Sequence, residues 1–122
     1  KIIFHDKNKK NIYYLSDETL LTVSTSSTFG IEALARGNRV AIFNCRGQLT
    51  KGIYDIFWYQ NYKKKSLFWT NSTDKKEIFR TLNFSLKSSK NTWQKKTKFF
   101  KKDLMGFSPK NFIFYKNIKN FI

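Results

Sequence analysis

Apolar residues along this chain fall in short blocks separated by polar turns, and one pair of blocks carries most of the architecture. Leu20 to Val23 is a continuous β-prone run, as expected of a strand covered on both faces. Ser24-Thr25-Ser26-Ser27-Thr28 follows, and then Phe29, Ile31, Ala33, Leu34 and Ala35 suit a short helix packed on a sheet. Ser27 or Thr28 is a good cap for that helix, and Gly37 fits the left-handed position that ends it. Val40 to Phe43 is a second fully apolar strand. Strand, helix and strand within about 25 residues predict a βαβ unit with parallel strands. The fold class is α/β.

The remaining blocks are read against that unit. Ile2 to His5 reads as the tail of a strand, and Ile12 to Leu15 as a short extended piece before Ser16-Asp17. Asn44 to Lys51 is a loop leaving the second strand, side by side with the Ser26–Thr28 turn at the edge where open parallel sheets bind ligands. Tyr54 to Tyr62 is an aromatic-rich packed loop, and Leu67-Phe68-Trp69 a further short strand. Thr73-Asp74 caps a helix, with Glu77 placed for a capping box and Ile78, Phe79, Leu82 and Leu86 as its buried stripe. A helix from about Thr92 to Met105 offers Trp93, Phe99, Phe100 and Leu104 to the core. Pro109 breaks it, and Asn111 to Ile122 forms a last helix.

Length and composition narrow the function classes. The 122 residues suffice for one domain, and the start at Lys1 reads as that of a fragment or isolated domain. No apolar run approaches the roughly 20 residues needed to span a bilayer, and no secretory leader is visible. A single cysteine, Cys45, excludes an internal disulfide framework and a cysteine-based zinc site, and a single histidine, His5, excludes a His-rich metal site. The net charge of +16 invites a polyanionic partner. Yet Lys, Asn, Ile and Phe share A/T-rich codons, and short lysine runs such as Lys63 to Lys65 read first as solvated faces of helices and loops.

Candidate chemistry concentrates in the turn. Ser26, Ser27 and Thr28, with the N–H groups that follow, suit a pyrophosphate at the positive end of a helix without any metal. Five hydroxyl residues in succession exceed what one cap requires. Glu32 is placed to accept hydrogen bonds from a ribose diol, or equally to pair with Arg36 four residues on. Gly30 suits close approach of backbone or ligand. Arg46, beside the small packing residue Cys45, could fork onto a diphosphate or sit on the surface. Asp17 is positioned to brace the turn before the first strand. The sequence contains no paired carboxylates, no Ser-His-Asp set and no Walker-type or G-x-G-x-x-G loop, so the catalytic residue stays unassigned.

The run Ser24 to Gly37 followed by Val40-Ala41-Ile42-Phe43 resembles the C-terminal, donor-binding half of GT-B glycosyltransferases. It is more closely similar to O-antigen and surface-carbohydrate biosynthesis proteins with a Ser-Thr-hydrophobic-Gly-hydrophobic-Glu-Ala pattern. Looser echoes are Leu67 to Asn71, Trp93, Leu104-Met105 and Asn111. The resemblance implies a Rossmann-like parallel sheet with C-terminal helices, the N-terminal acceptor domain being absent. It implies a nucleotide-sugar as substrate, no resident cofactor, a diphosphate held by Ser27 and Thr28, and a ribose held by Glu32. A lipid-linked saccharide acceptor and contact with the inner face of the cytoplasmic membrane follow from the same comparison. Two alternatives stand beside it: a sugar-nucleotide epimerase, and a basic α/β module binding RNA, which predicts steep salt dependence and no role for Glu32.

Overall fold

A computed structural model describes residues 11–25, 27–49, 65–105 and Lys116. The readings that involve Ile2 to His5, Ser26, Lys51 to Tyr62, Pro109 and the last helix lie outside these residues. The elements are α1 (Ile12–Glu18), β1 (Thr22–Ser24), α2 (Thr28–Arg36), β2 (Val40–Phe43), α3 (Arg46–Leu49), β3 (Trp69–Thr70), α4 (Lys75–Lys87) and α5 (Lys90–Leu104). The three strands form a parallel sheet in the order β1-β2-β3, with Ser24 beside Ile42 and Phe43 beside Thr70. The βαβ unit is therefore present, with its predicted helix between adjacent parallel strands.

Local chemistry sets the boundaries of α2. The Ser27 hydroxyl accepts the Phe29 N–H at 3.3 Å, and Gly37 ends the helix at φ 104°, a left-handed conformation that favours glycine. The core lies where α2 and α5 meet the sheet. Ala33, Leu34, Val40, Phe68, Trp69 and Trp93 are buried together, with Ile42, Phe84, Phe100 and Leu104 packed against them. Its aromatic rings meet edge to face, Phe68 to Trp93 at 5.7 Å and Trp69 to Phe100 at 5.0 Å between centroids.

Several readings of the sequence are corrected. Ile12 to Leu15 is helical, not extended, because Asn11 caps the segment by accepting the Tyr13 N–H at 2.9 Å. A four-residue apolar run has no decisive period, and tertiary bonds hold this helix: the Ser16 hydroxyl meets that of Thr22 at 2.8 Å and accepts from the Asn38 amide at 3.0 Å. The first strand starts later than Leu20 and is not covered on both faces, since Val23 remains 55% exposed. Part of the Asn44–Lys51 loop winds into the single turn α3.

The phase of α4 also differs from the expected stripe. Phe79 and Leu86 are exposed, while Thr81 and Ser85 are fully buried. The Ser85 hydroxyl donates to the Val40 carbonyl at 2.7 Å, and the Arg39 guanidinium donates to the Ser85 carbonyl at 2.7 Å. Those two bonds fix a face of small residues against the sheet. Asp74 does cap α4, accepting the Lys76 N–H at 2.9 Å, but Glu77 pairs with Lys65 and Arg80 at 3.0 and 3.1 Å. On α5, Phe100 packs inward and its neighbour Phe99 is exposed.

Asp17 braces the far end of α2. Its carboxylate pairs with the Arg36 guanidinium and accepts the Asn38 amide at 2.8 Å, so hydrogen bonding to Arg36 and then Asn38 holds its pKa below the usual value. A carboxyl whose pKa is depressed by folding stabilises the fold above its unfolded pKa, and that contribution fades as pH falls through the folded pKa. Because the Asp17 side chain is 36% exposed, solvent screening keeps the effect small. Asp17→Asn is expected to cost about 0.5–1 kcal/mol near neutral pH. In thermal melts from neutral pH downward, its deficit should shrink below about pH 4, where the Asp17 carboxyl of the unfolded wild-type chain begins to take up protons.

Candidate functional site

The carboxyl ends of the three parallel strands lie along one edge, and the chain leaves each of them through polar residues. Ser24-Thr25 follows β1, Asn44-Cys45 follows β2, and Asn71-Ser72 follows β3. Backbone pairing continues to this rim, where the Asn44 N–H donates to the Thr70 carbonyl at 3.0 Å. The Cys45 thiol donates to the Ser72 carbonyl at 3.1 Å and ties the second exit to the third. Burial pushes the pKa of that thiol up, which keeps it protonated and structural. The Ser72 N–H donates to the Thr70 hydroxyl, and the Asp74 N–H to the Ser72 hydroxyl, both at 3.0 Å.

Two helices begin at this edge, α2 after β1 and α4 after β3. Each points the positive end of its dipole toward the rim, with the Phe29 N–H capped by Ser27 and the Lys76 N–H by Asp74. In the turn before α2, the Ser24 hydroxyl donates to the Ser27 carbonyl at 3.4 Å, and Ser27 caps the helix. Thr28 is exposed in the first helical position. Ser26 lies outside the described residues. Gly30 is buried and faces Ser24: a Cβ on it would stand 2.7 Å from the Ser24 Cβ and 3.3 Å from Ile42 Cγ1. Of the two reasons for a glycine here, close approach of helix to strand is the one the geometry shows.

Glu32 sits in the second turn of α2 and accepts a short hydrogen bond from the Tyr13 hydroxyl of α1. That bond, with the nearby carboxylate charge, raises the Tyr13 pKa. A carboxylate has about four acceptor positions, so the bond leaves Glu32 with spare capacity. Arg36 pairs with Asp17 and lies 5.5 Å from the Tyr13 ring. Arg46 is exposed at the start of α3, on the rim after β2.

Asn44 and Asn71 were not singled out from the sequence, and both are buried at the rim, 4% and 7% exposed. The Asn71 Oδ1 has no hydrogen-bond partner. A buried amide oxygen without a donor costs about 1–3 kcal/mol, and this one lies at the carboxyl edge of the sheet. The available signal was an Asn directly after each of two apolar strands, in Phe43-Asn44 and Thr70-Asn71.

Among the described residues, no group of three or more His, Cys, Asp or Glu is placed to hold a metal, and no helix is long and apolar enough to cross a membrane. The class these features define is an α/β protein with a small parallel sheet and a polar, hydroxyl- and amide-lined carboxyl edge. The chain belongs to a family described as "putative O-antigen biosynthesis protein", whose model matches residues 1–122. No curated protein and no solved structure matches it. The family name agrees with a general role in surface polysaccharide biosynthesis.

Proposed function

We propose that this chain is a Rossmann-like, GT-B-type donor-binding domain that takes a nucleotide-sugar for transfer to a surface-polysaccharide acceptor. The observation that carries the reading is the unpartnered Asn71 oxygen on the same carboxyl rim as the hydroxyl turn, with β2 between them. The diphosphate would lie against Thr28 and the positive N-terminal end of α2, with Arg46 across the rim. Negative charge builds on the leaving diphosphate as the sugar departs, and prearranged N–H dipoles stabilise it without reorganising. The Asn71 oxygen would accept a hydroxyl or amino proton of the nucleotide. Glu32 would receive the ribose through the acceptor positions that Tyr13 leaves open.

Calorimetric titration with a panel of nucleoside diphosphates tests this. One of them should bind saturably, and Thr28→Ala and Asn71→Ala should each weaken it about 10-fold, the loss of one buried or charge-assisted hydrogen bond. Ser27 needs a pair of variants because it caps α2: Ser27→Ala lowers stability by about 1 kcal/mol and Ser27→Gly by only a few tenths. A binding loss shared by both would therefore be due to the hydroxyl at the ligand. Failure of every nucleoside diphosphate to bind, or binding indifferent to these changes, contradicts the proposal. Preference for a short RNA with steep salt dependence favours the RNA reading instead.

A further inference from the structure

Away from the carboxyl rim, α5 presents a second polar surface. Trp93, Thr97, Phe100 and Leu104 face inward. The outer side carries Lys95, Lys98 and Lys102, with Lys101 half-buried at its border, and with Ala35 of α2 these lysines line an open groove of about 690 Å³. A smaller hollow of about 270 Å³ shares Gln94 with it and extends the surface past Lys90 and Arg39 to Leu20. No acidic side chain lines either hollow, and none of the four groove lysines makes an ion pair among the described residues. Lys101 is half-buried, and desolvation lowers its pKa, a cost that an arriving anion would relieve.

Large apolar side chains accompany this charge. Phe99 is 65% exposed on the turn between Lys95 and Lys102, and Leu20 is 70% exposed at the other end. Lysines beside protruding apolar groups suit a bilayer surface, where the cations meet phosphate headgroups and the apolar groups enter the interface. A nucleic acid would use the charge and could stack on Phe99, but it has no use for an aliphatic Leu20.

We propose that the α5 face formed by Lys95, Lys98, Lys101 and Lys102, flanked by Phe99 and Leu20, docks this protein on an anionic bilayer surface. The proposal does not depend on the nucleotide site, and its test contains no nucleotide. Flotation of the full chain with phosphatidylcholine vesicles is compared with flotation on vesicles containing about 30 mol% phosphatidylglycerol. Binding is expected only to the anionic vesicles. At about fivefold to tenfold per lysine, Lys95→Gln/Lys98→Gln/Lys102→Gln should lower the partition coefficient by about 100-fold or more. Phe99→Ser should lower it about fivefold through lost apolar burial.

Lys75→Gln/Lys76→Gln/Lys87→Gln on α4 removes the same charge from another exposed surface and should cost far less. Circular dichroism checks that all variants remain folded. An equal loss in the α4 variant would show that net charge, not this face, drives binding and would overturn the proposal. Equal binding to uncharged vesicles, or binding to neither, would do the same.

Discussion

Gly30→Ala should destabilise this protein by about 1–3 kcal/mol, although alanine is the better helix former by about 1 kcal/mol. The gain in helix propensity is overridden because the new Cβ would lie 2.7 Å from the Ser24 Cβ and 2.9 Å from its hydroxyl oxygen. A Cβ is fixed to the backbone and cannot swing away, so α2 must lift from β1 or the strand must shift. The helix also packs on Ile42, whose Cγ1 would be 3.3 Å away, so the movement spreads to β2. Urea unfolding measures the change. Combining Gly30→Ala with Ser24→Gly should recover part of the loss, since it removes the two nearest atoms of the clash. A lone Gly30→Ala that raises stability would show that helix and strand are not this close.

Trp93→Ala should be costlier still, about 3–5 kcal/mol. The indole is 2% exposed and sits at the centre of the core, 5.7 Å from Phe68 and 5.9 Å from Phe84 between ring centroids, with the Arg39 guanidinium 5.9 Å from its ring. Removing it opens a cavity where α4, α5 and the sheet meet. Domains of this size have about 5–15 kcal/mol in total, so the variant should be close to unfolding at 37 °C. Trp93→Phe should be much milder. The indole N–H is buried without an acceptor, and phenylalanine removes that unpaired donor while keeping an aromatic ring. The expected loss is below about 1.5 kcal/mol. Parallel urea melts of the two variants separate lost volume from lost polarity.

The parts of the fold legible in the sequence were those with local chemistry. The βαβ unit could be read because Ser27 and Gly37 punctuate the helix and because β2 is apolar throughout. What misled was information held by partners distant in sequence. Ile12 to Leu15 has β-prone residues, and its helix depends on bonds to Thr22 and, through Asp17, to Arg36 and Asn38. The face of α4 is set by the Ser85 bond to Val40, 45 residues away. A rule that buries large apolar residues therefore chose Phe79 and Leu86 over Thr81 and Ser85.

The candidate site divides the same way. Its turn was visible because hydroxyls before a helix have a local signature. Asn44 and Asn71 were not, because a single Asn after a strand reads as an ordinary turn residue. Only the pairing of β2 with β3 brings them to one rim. Glu32 was placed correctly on the helix after the turn, but its neighbour Tyr13 belongs to a segment read as extended. The lysines of α5 read as a solvated face, and the folding of α5 against α2 turns them into one groove.

On the proposed function, a nucleoside diphosphate binds at the carboxyl edge of the sheet. Backbone amide shifts in a ¹H–¹⁵N spectrum, followed while the nucleoside diphosphate selected by calorimetry is titrated into the labelled chain, test it most directly. Saturable shifts are expected to cluster at Thr25 to Gly30, Asn44 to Arg46 and Asn71 to Ser72, with Lys95 to Lys102 unmoved. Shifts confined to the α5 lysines, or none at saturating nucleotide, would contradict it.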